Sequence, residues 1–109
     1  MASVYKVLGQ LDPAATTLST LYTVPALTST VVSSIVVCNR DTVARSYRVA
    51  IRPAGAAIDP KHYIAYDIPL DGNESFVWTL GITLATTDVI SVYASAQQLA
   101  FSAFGEENS

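Results

Sequence analysis

Apolar and polar side chains alternate most cleanly between Arg45 and Arg52. Tyr47, Val49 and Ile51 fall on one side; Ser46, Arg48, Ala50 and Arg52 fall on the other. A period of two marks a half-buried strand, and it stands the two arginines on the outward face with their stems side by side. The stretch from Leu21 to Arg40, LYTVPALTSTVVSSIVVCNR, has a different character. It is crowded with the β-branched residues Thr28, Thr30, Val31, Val32, Ile35, Val36 and Val37, which lose rotamer freedom in a helix and sit well on a pleated surface. We read Thr30 to Cys38 as a strand. Val31, Ser33, Ile35 and Val37 are expected on one face, and Val32, Ser34, Val36 and Cys38 on the other. Neither face is polar, so the strand is expected to be central and covered on both sides.

The same reading places an opening edge strand at Val4 to Leu8, where Lys6 reaches water. A second strand, Leu18 to Val24, is stopped by Pro25. His62 to Ile68 forms another, with Tyr63, Ala65 and Asp67 opposite His62, Ile64, Tyr66 and Ile68. Ser75 to Leu80 directs Phe76, Trp78 and Leu80 inward, and Asp88 to Ala94 and Leu99 to Phe104 complete the set, with Phe101 in the core. Turn chemistry separates them at Asp12-Pro13, Asn39 to Thr42, Pro53 to Pro60 and Asp71-Gly72-Asn73. About eight short strands without a convincing helix predict an all-β fold: an antiparallel β-sandwich, jelly-roll-like. The whole chain, 1–109, reads as one domain. Short flexible arms are expected at Met1 to Ser3 and in the acidic tail Gly105 to Ser109.

Composition adds a constraint on the surface. Half of the residues are hydrophobic and only 14% are charged, against roughly 25% in an ordinary soluble domain. No apolar run approaches the ~20 residues of a spanning helix. The remaining explanation is a surface shared with other chains rather than with a membrane. A formal net charge of −3 argues against nonspecific nucleic-acid binding. The opening MASVYKVLGQ lacks the pattern of a secretory signal, so synthesis and folding in a cytoplasm are expected. Cys38, in its apolar run, is read as a small buried hydrophobe.

The residues offer little for catalysis. His62 is the single histidine; it is read as a surface or interface residue, and no nucleophile–base pair accompanies it. No His, Cys and carboxylate set has metal-ligand spacing. Asp67, Asp71 and Glu74 flank a turn, where solubility is the plainer reading and loose Ca²⁺ binding the alternative. No enzyme activity and no cofactor are expected. The six tyrosines are more suggestive, because tyrosine suits interfaces. We assign Tyr22, Tyr63 and Tyr66 to contacts with other subunits, the alternative being that they line the core. Arg48 and Arg52 either dock a carboxylate on a partner chain or form a solvated face.

The chain also resembles a known family across nearly all of its length beyond about residue 17. The matching pieces are LYTVPA (Leu21 to Ala26), TSTVVSSIVVCNR (Thr28 to Arg40), YRVAIRPAGAAI (Tyr47 to Ile58), KHYIAYDIPL (Lys61 to Leu70), LGITLATTDVISVYAS (Leu80 to Ser95) and FSAFGEE (Phe101 to Glu107). In this order they resemble small virion proteins of tailed bacteriophages. The resemblance implies a β-sandwich structural component without catalytic residues, located in the virion. The favoured expectation is a capsid decoration or cement protein on the outer capsid surface. It would be a homo-oligomer, expected as a trimer, partnered by the major capsid protein or other virion proteins, with no nucleic acid and no membrane. The alternative is a neck, tail or fibre-associated adhesin that binds a host-surface glycan, with Trp78 or the pair Tyr63 and Tyr66 stacking on sugar rings.

Overall fold

A computed structural model describes residues 2–109; the expected arm at Met1 lies in part outside them. Among the described residues there are nine strands: β1 (Ser3–Leu11), β2 (Ser19–Thr23), β3 (Ser29–Asn39), β4 (Arg45–Arg52), β5 (Tyr63–Leu70), β6 (Ser75–Trp78), β7 (Ile82–Leu84), β8 (Val89–Ala94) and β9 (Leu99–Asn108). Two single 3-10 turns, Pro53–Gly55 and Pro60–His62, lie between β4 and β5.

The pairings are nested. β1 pairs with β9, β2 with β8, β3 with both β6 and β7, and β4 with β5, all antiparallel. This is one long hairpin whose tip is the β4–β5 connection. Rolling it up adds the β3–β9 and β4–β8 ladders. The first sheet then runs β1-β9-β3-β6, with β7 also on β3, and the second runs β2-β8-β4-β5. That order is a jelly roll. Tyr47, Phe101, Ile35, Ile90, Leu99, Val37, Val49 and Val92 fill the space between the sheets and are essentially inaccessible to water. The expected central strand is central, flanked by β9 on one side and by β6 and β7 on the other.

Bulges correct the expected faces. Each inserts one residue on one strand, and a single insertion exchanges the two faces beyond it. In β3 the register against β9 slips between Val32 and Ser34, so Val32 joins Ile35 and Val37 in the core while Val31 is turned out. The Ser33 hydroxyl closes the bulge by donating to the Phe104 carbonyl at 3.0 Å. In β2 a slip between Thr20 and Tyr22 lets the consecutive Leu21 and Tyr22 both be buried.

The segments read as terminal arms are strands as well. Ser3 opposes Asn108, Val4 opposes Glu107 and Tyr5 opposes Glu106. The backbones of Ala2 and Ser109 exchange two hydrogen bonds of 2.8 and 2.9 Å. Lys6 meets Glu107 at 3.3 Å. Backbone pairing holds these residues where side-chain polarity alone suggests a tail.

Candidate functional site

Two surfaces stand out, one on the outer face of each sheet. The first is built around Arg48. Between Tyr47–Ile68 and Val49–Ala65, β5 carries two residues, Tyr66 and Asp67, opposite the single Arg48. A second slip follows between Val49 and Ala50, where Ile64 is the extra residue and Tyr63 faces Ala50. Asp67 adopts φ +50°, a left-handed conformation that aspartate tolerates better than most residues, at about 1–2 kcal/mol. The two bulges bring Tyr63, Tyr66 and Asp67 to one outer face. Regular alternation would separate Tyr63 from Tyr66.

Arg48 is fully engaged there. Its guanidinium lies 4.2 Å from the ring centres of both Tyr66 and Tyr93. Its Nε donates to Asp67 at 2.6 Å and its Nη2 to the other carboxylate oxygen at 3.4 Å. The Asp67 hydrogen bond pushes the Arg48 guanidinium still further toward its protonated form. The ring of Tyr66 contacts that of Tyr63 edge to face at 4.9 Å.

The connection between β4 and β5 supplies the opposite wall. Asp59 caps its second 3-10 turn. Its carboxylate accepts from the Lys61 N–H at 3.2 Å, and its own N–H donates to His62 Nδ1 at 3.1 Å. His62 is therefore a buried structural residue, not the surface residue expected: its ring closes the cap. Arg52 fixes the near end, donating to Ser91 Oγ at 3.0 Å and to the Gly55 and Ala56 carbonyls at 3.3 and 2.9 Å. Between these walls Ile58, Asp59, Pro60, Tyr63 and Tyr66 line an open cleft of about 490 Å³.

The second surface lies across the first sheet. Tyr5 and Val7 on β1, Phe104 on β9 and Val31 and Ser33 on β3 line a shallow groove with Lys6, Gly105 and Glu106; the register sets Glu106 between Tyr5 and Val31. Tyr5 is 81% exposed. Val77 of β6, exposed and paired with Val36, continues the apolar character to the far edge of the sheet.

The expected interface residues separate into three groups. Tyr63 and Tyr66 come together at the cleft. Arg48 and Arg52 hold intramolecular partners instead of offering free guanidinium groups. Tyr22 is 7% exposed and belongs to the core. Its hydroxyl donates to Glu107 at 2.5 Å and shares a 2.8 Å hydrogen bond with Thr30, which ties β2 to the opposite sheet. Trp78 is also structural. It is half-buried against Phe76, and its Nε1 donates to the Tyr47 hydroxyl at 2.8 Å. Asp67, considered above for a cation, is committed to Arg48. Among the described residues no three His, Cys, Asp or Glu side chains converge in the manner of a metal site.

The core tyrosines make a pH prediction. Burial, then the hydrogen bond to Glu107, pushes Tyr22 up to about 12. Burial also raises Tyr47. A tyrosine whose folded value lies above its unfolded one stabilises the fold fully below the unfolded value, near 10, and loses that contribution as pH rises through the folded value. Stability is therefore expected to fall between pH ~10 and ~12. In a phenolate absorbance titration Tyr22 and Tyr47 should ionise last. Replacing Tyr22 with Phe should remove one late transition; unchanged late titration would show that Tyr22 is not among the late groups.

No protein-family model and no curated protein matches the chain.

Proposed function

We propose that this chain is a non-enzymatic virion structural protein of a tailed bacteriophage, and within the virion a capsid decoration or cement protein. It would assemble as a homo-oligomer, with three copies as the expected form, and clamp neighbouring major capsid proteins. The observation that carries this reading is the apolar outer face of the first sheet. Tyr5, Val7, Phe104, Val31 and Val77 span β1, β9, β3 and β6 in a chain that has few charges. Exposed apolar side chains gathered on one face, here around the single carboxylate of Glu106 between Tyr5 and Val31, mark association with other proteins. The jelly roll gives that face a rigid backing, since pairing runs out to Ala2 and Ser109. A stiff module that touches several shell subunits gains strength by multivalency, because the contacts must break together.

Quantitative mass spectrometry of purified virions tests this reading. A copy number comparable to the major capsid protein is expected, since only the shell lattice offers that many sites. A few copies per particle would overturn decoration in favour of the neck, tail or fibres, and absence would overturn the virion reading altogether. Val31→Glu places a charge on the proposed face and should abolish capsid occupancy; full occupancy by that variant would remove the face from consideration.

A further inference from the structure

We infer that the cleft on the outer face of the second sheet is a carbohydrate-binding site that takes a neutral pyranose, with Tyr63 and Tyr66 as its aromatic walls and Asp59 as its hydrogen-bond acceptor. This narrows the adhesin alternative to one set of residues and does not depend on where in the virion the chain resides.

Three features converge. The first is size: about 490 Å³ falls in the range of small-ligand pockets. The second is preorganisation. Tyr66 is 54% exposed yet held by Arg48 at 4.2 Å and by Tyr63 at 4.9 Å. An exposed aromatic that is already immobilised loses little rotamer freedom when a ligand stacks on it. The facing wall is fixed too, by the reciprocal Asp59–His62 cap and by Arg52.

The third feature is the chemistry of the lining. Ile58, Pro60, Tyr63 and Tyr66 bring apolar surface to the lining, while Asp59, whose Oδ1 accepts from the Lys61 N–H, has a second carboxylate oxygen to accept from a ligand and the tyrosines carry polar tips. An anionic ligand such as a phosphate would meet Asp59; of the nearby cations Arg48 is already neutralised by Asp67 and Lys61 is not part of the lining. A wholly apolar ligand, or a proline-rich peptide with few N–H donors, would cover the Asp59 carboxylate without pairing it, which is costly. A neutral sugar satisfies both halves of the lining. Its C–H face lies on one tyrosine ring, the other ring, perpendicular at 85°, closes the side, and its hydroxyls donate to the carboxylate.

The test titrates the ¹⁵N-labelled full chain with glucose, galactose, mannose, N-acetylglucosamine and their disaccharides, followed by amide chemical shifts. Saturable shifts confined to Ile58 through Tyr66, with millimolar affinity for at least one sugar, are expected. Tyr66→Ala should weaken binding at least about tenfold. Ile58→Trp fills the cleft from an exposed position and should block binding while the spectrum stays that of a folded protein. Tyr5→Ala, on the other sheet, should bind like the parent chain. An array of immobilised glycans then separates sources: preference for an internal sugar of a polymer identifies a surface polysaccharide, and equal binding identifies a free saccharide, either of which supports the site. No saturable shift with any sugar would overturn the proposal. So would binding that survives Ile58→Trp, or a proline-rich peptide that saturates these amides where sugars do not.

Discussion

Replacing Asn39 with Leu is expected to destabilise the fold by about 3 kcal/mol or more, which lowers the melting temperature by ~15 °C in a domain of this size. Asn39 is 1% exposed, and its side chain is a junction between two connections that are remote in sequence. Its Nδ2 lies 3.0 Å from the Val43 carbonyl, 3.0 Å from that of Leu70 and 3.2 Å from that of Asp71. Its Oδ1 accepts from the Asp41 N–H at 2.9 Å. The β3–β4 and β5–β6 connections thus meet on one amide, and a direct Asn73 N–H to Asp41 carbonyl bond of 2.9 Å joins them beside it. Leucine has a similar size and none of these bonds, so it leaves buried backbone groups unpaired, which is the expensive way to lose a hydrogen bond. Asn39→Asp keeps the acceptor but turns a second oxygen toward three carbonyls. That variant should be more stable at acidic pH, where its carboxyl can carry a proton, than at neutral pH. Thermal unfolding of both variants across pH checks this. A Leu variant that melts with the parent chain would show that water satisfies the freed groups.

The layered all-β fold is legible in the sequence because its signals are local. β4 coincides with the clean alternation from Arg45 to Arg52, and the β-branched run marks β3 as a central strand. Assignment of faces fails wherever a bulge intervenes, and the bulges carry little sequence signal. Ser33 sits in a run in which every residue suits a strand. Asp67 is the faintest of hints: an aspartate inside a strand is one of the few non-glycine residues that accepts a left-handed backbone. The insertion that turns Tyr63 to the side of Tyr66 is Ile64, which carries no such hint; without it the two tyrosines, three residues apart, face opposite ways. Residue type therefore nominates both tyrosines but hides their meeting.

Tyr22 shows the reverse error. The abundance of tyrosine suggests an interface, but the deciding contact is Glu107, 85 residues away, and no local pattern announces a partner at that separation. Glu107 itself reads, from polarity alone, as part of a loose acidic tail. Both assignments change together once β9 pairs with β1 and β3, because that pairing carries Glu107 over the end of β2. Asn39 is legible only as turn chemistry; its role depends on two loops that approach from opposite halves of the hairpin.

Gly105→Ala is expected to cost as much as the loss of Asn39, about 3 kcal/mol or more, although it adds a single methyl group. A Cβ at this position would lie 2.1 Å from the Val31 carbonyl oxygen and 3.0 Å from Val32 Cα. Both are backbone atoms of the neighbouring strand, so no side chain can swing aside. Relief requires β9 to move away from β3, yet β9 is the inner strand that also carries β1, where Gly105 opposes Lys6. The close approach lies beside the slip at Ser33, where Gly105 opposes Val32. Gly105 does not have a positive φ, so the expected cost is the steric one. Gly81 supplies the opposite case. It has φ +61°, and a methyl group placed on its Cα would have no atom within 4 Å, so Gly81→Ala should cost only about 1 kcal/mol through backbone preference. Equilibrium urea unfolding of the two variants separates the effects. The expected order is parent chain, then Gly81→Ala, then Gly105→Ala by a wide margin, with the loss in Gly105→Ala accompanied by faster amide exchange along β1 and β9. Equal midpoints would mean that the two sheet strands can part at the bulge without penalty, and the close backbone contact would then not be what fixes the register of the first sheet.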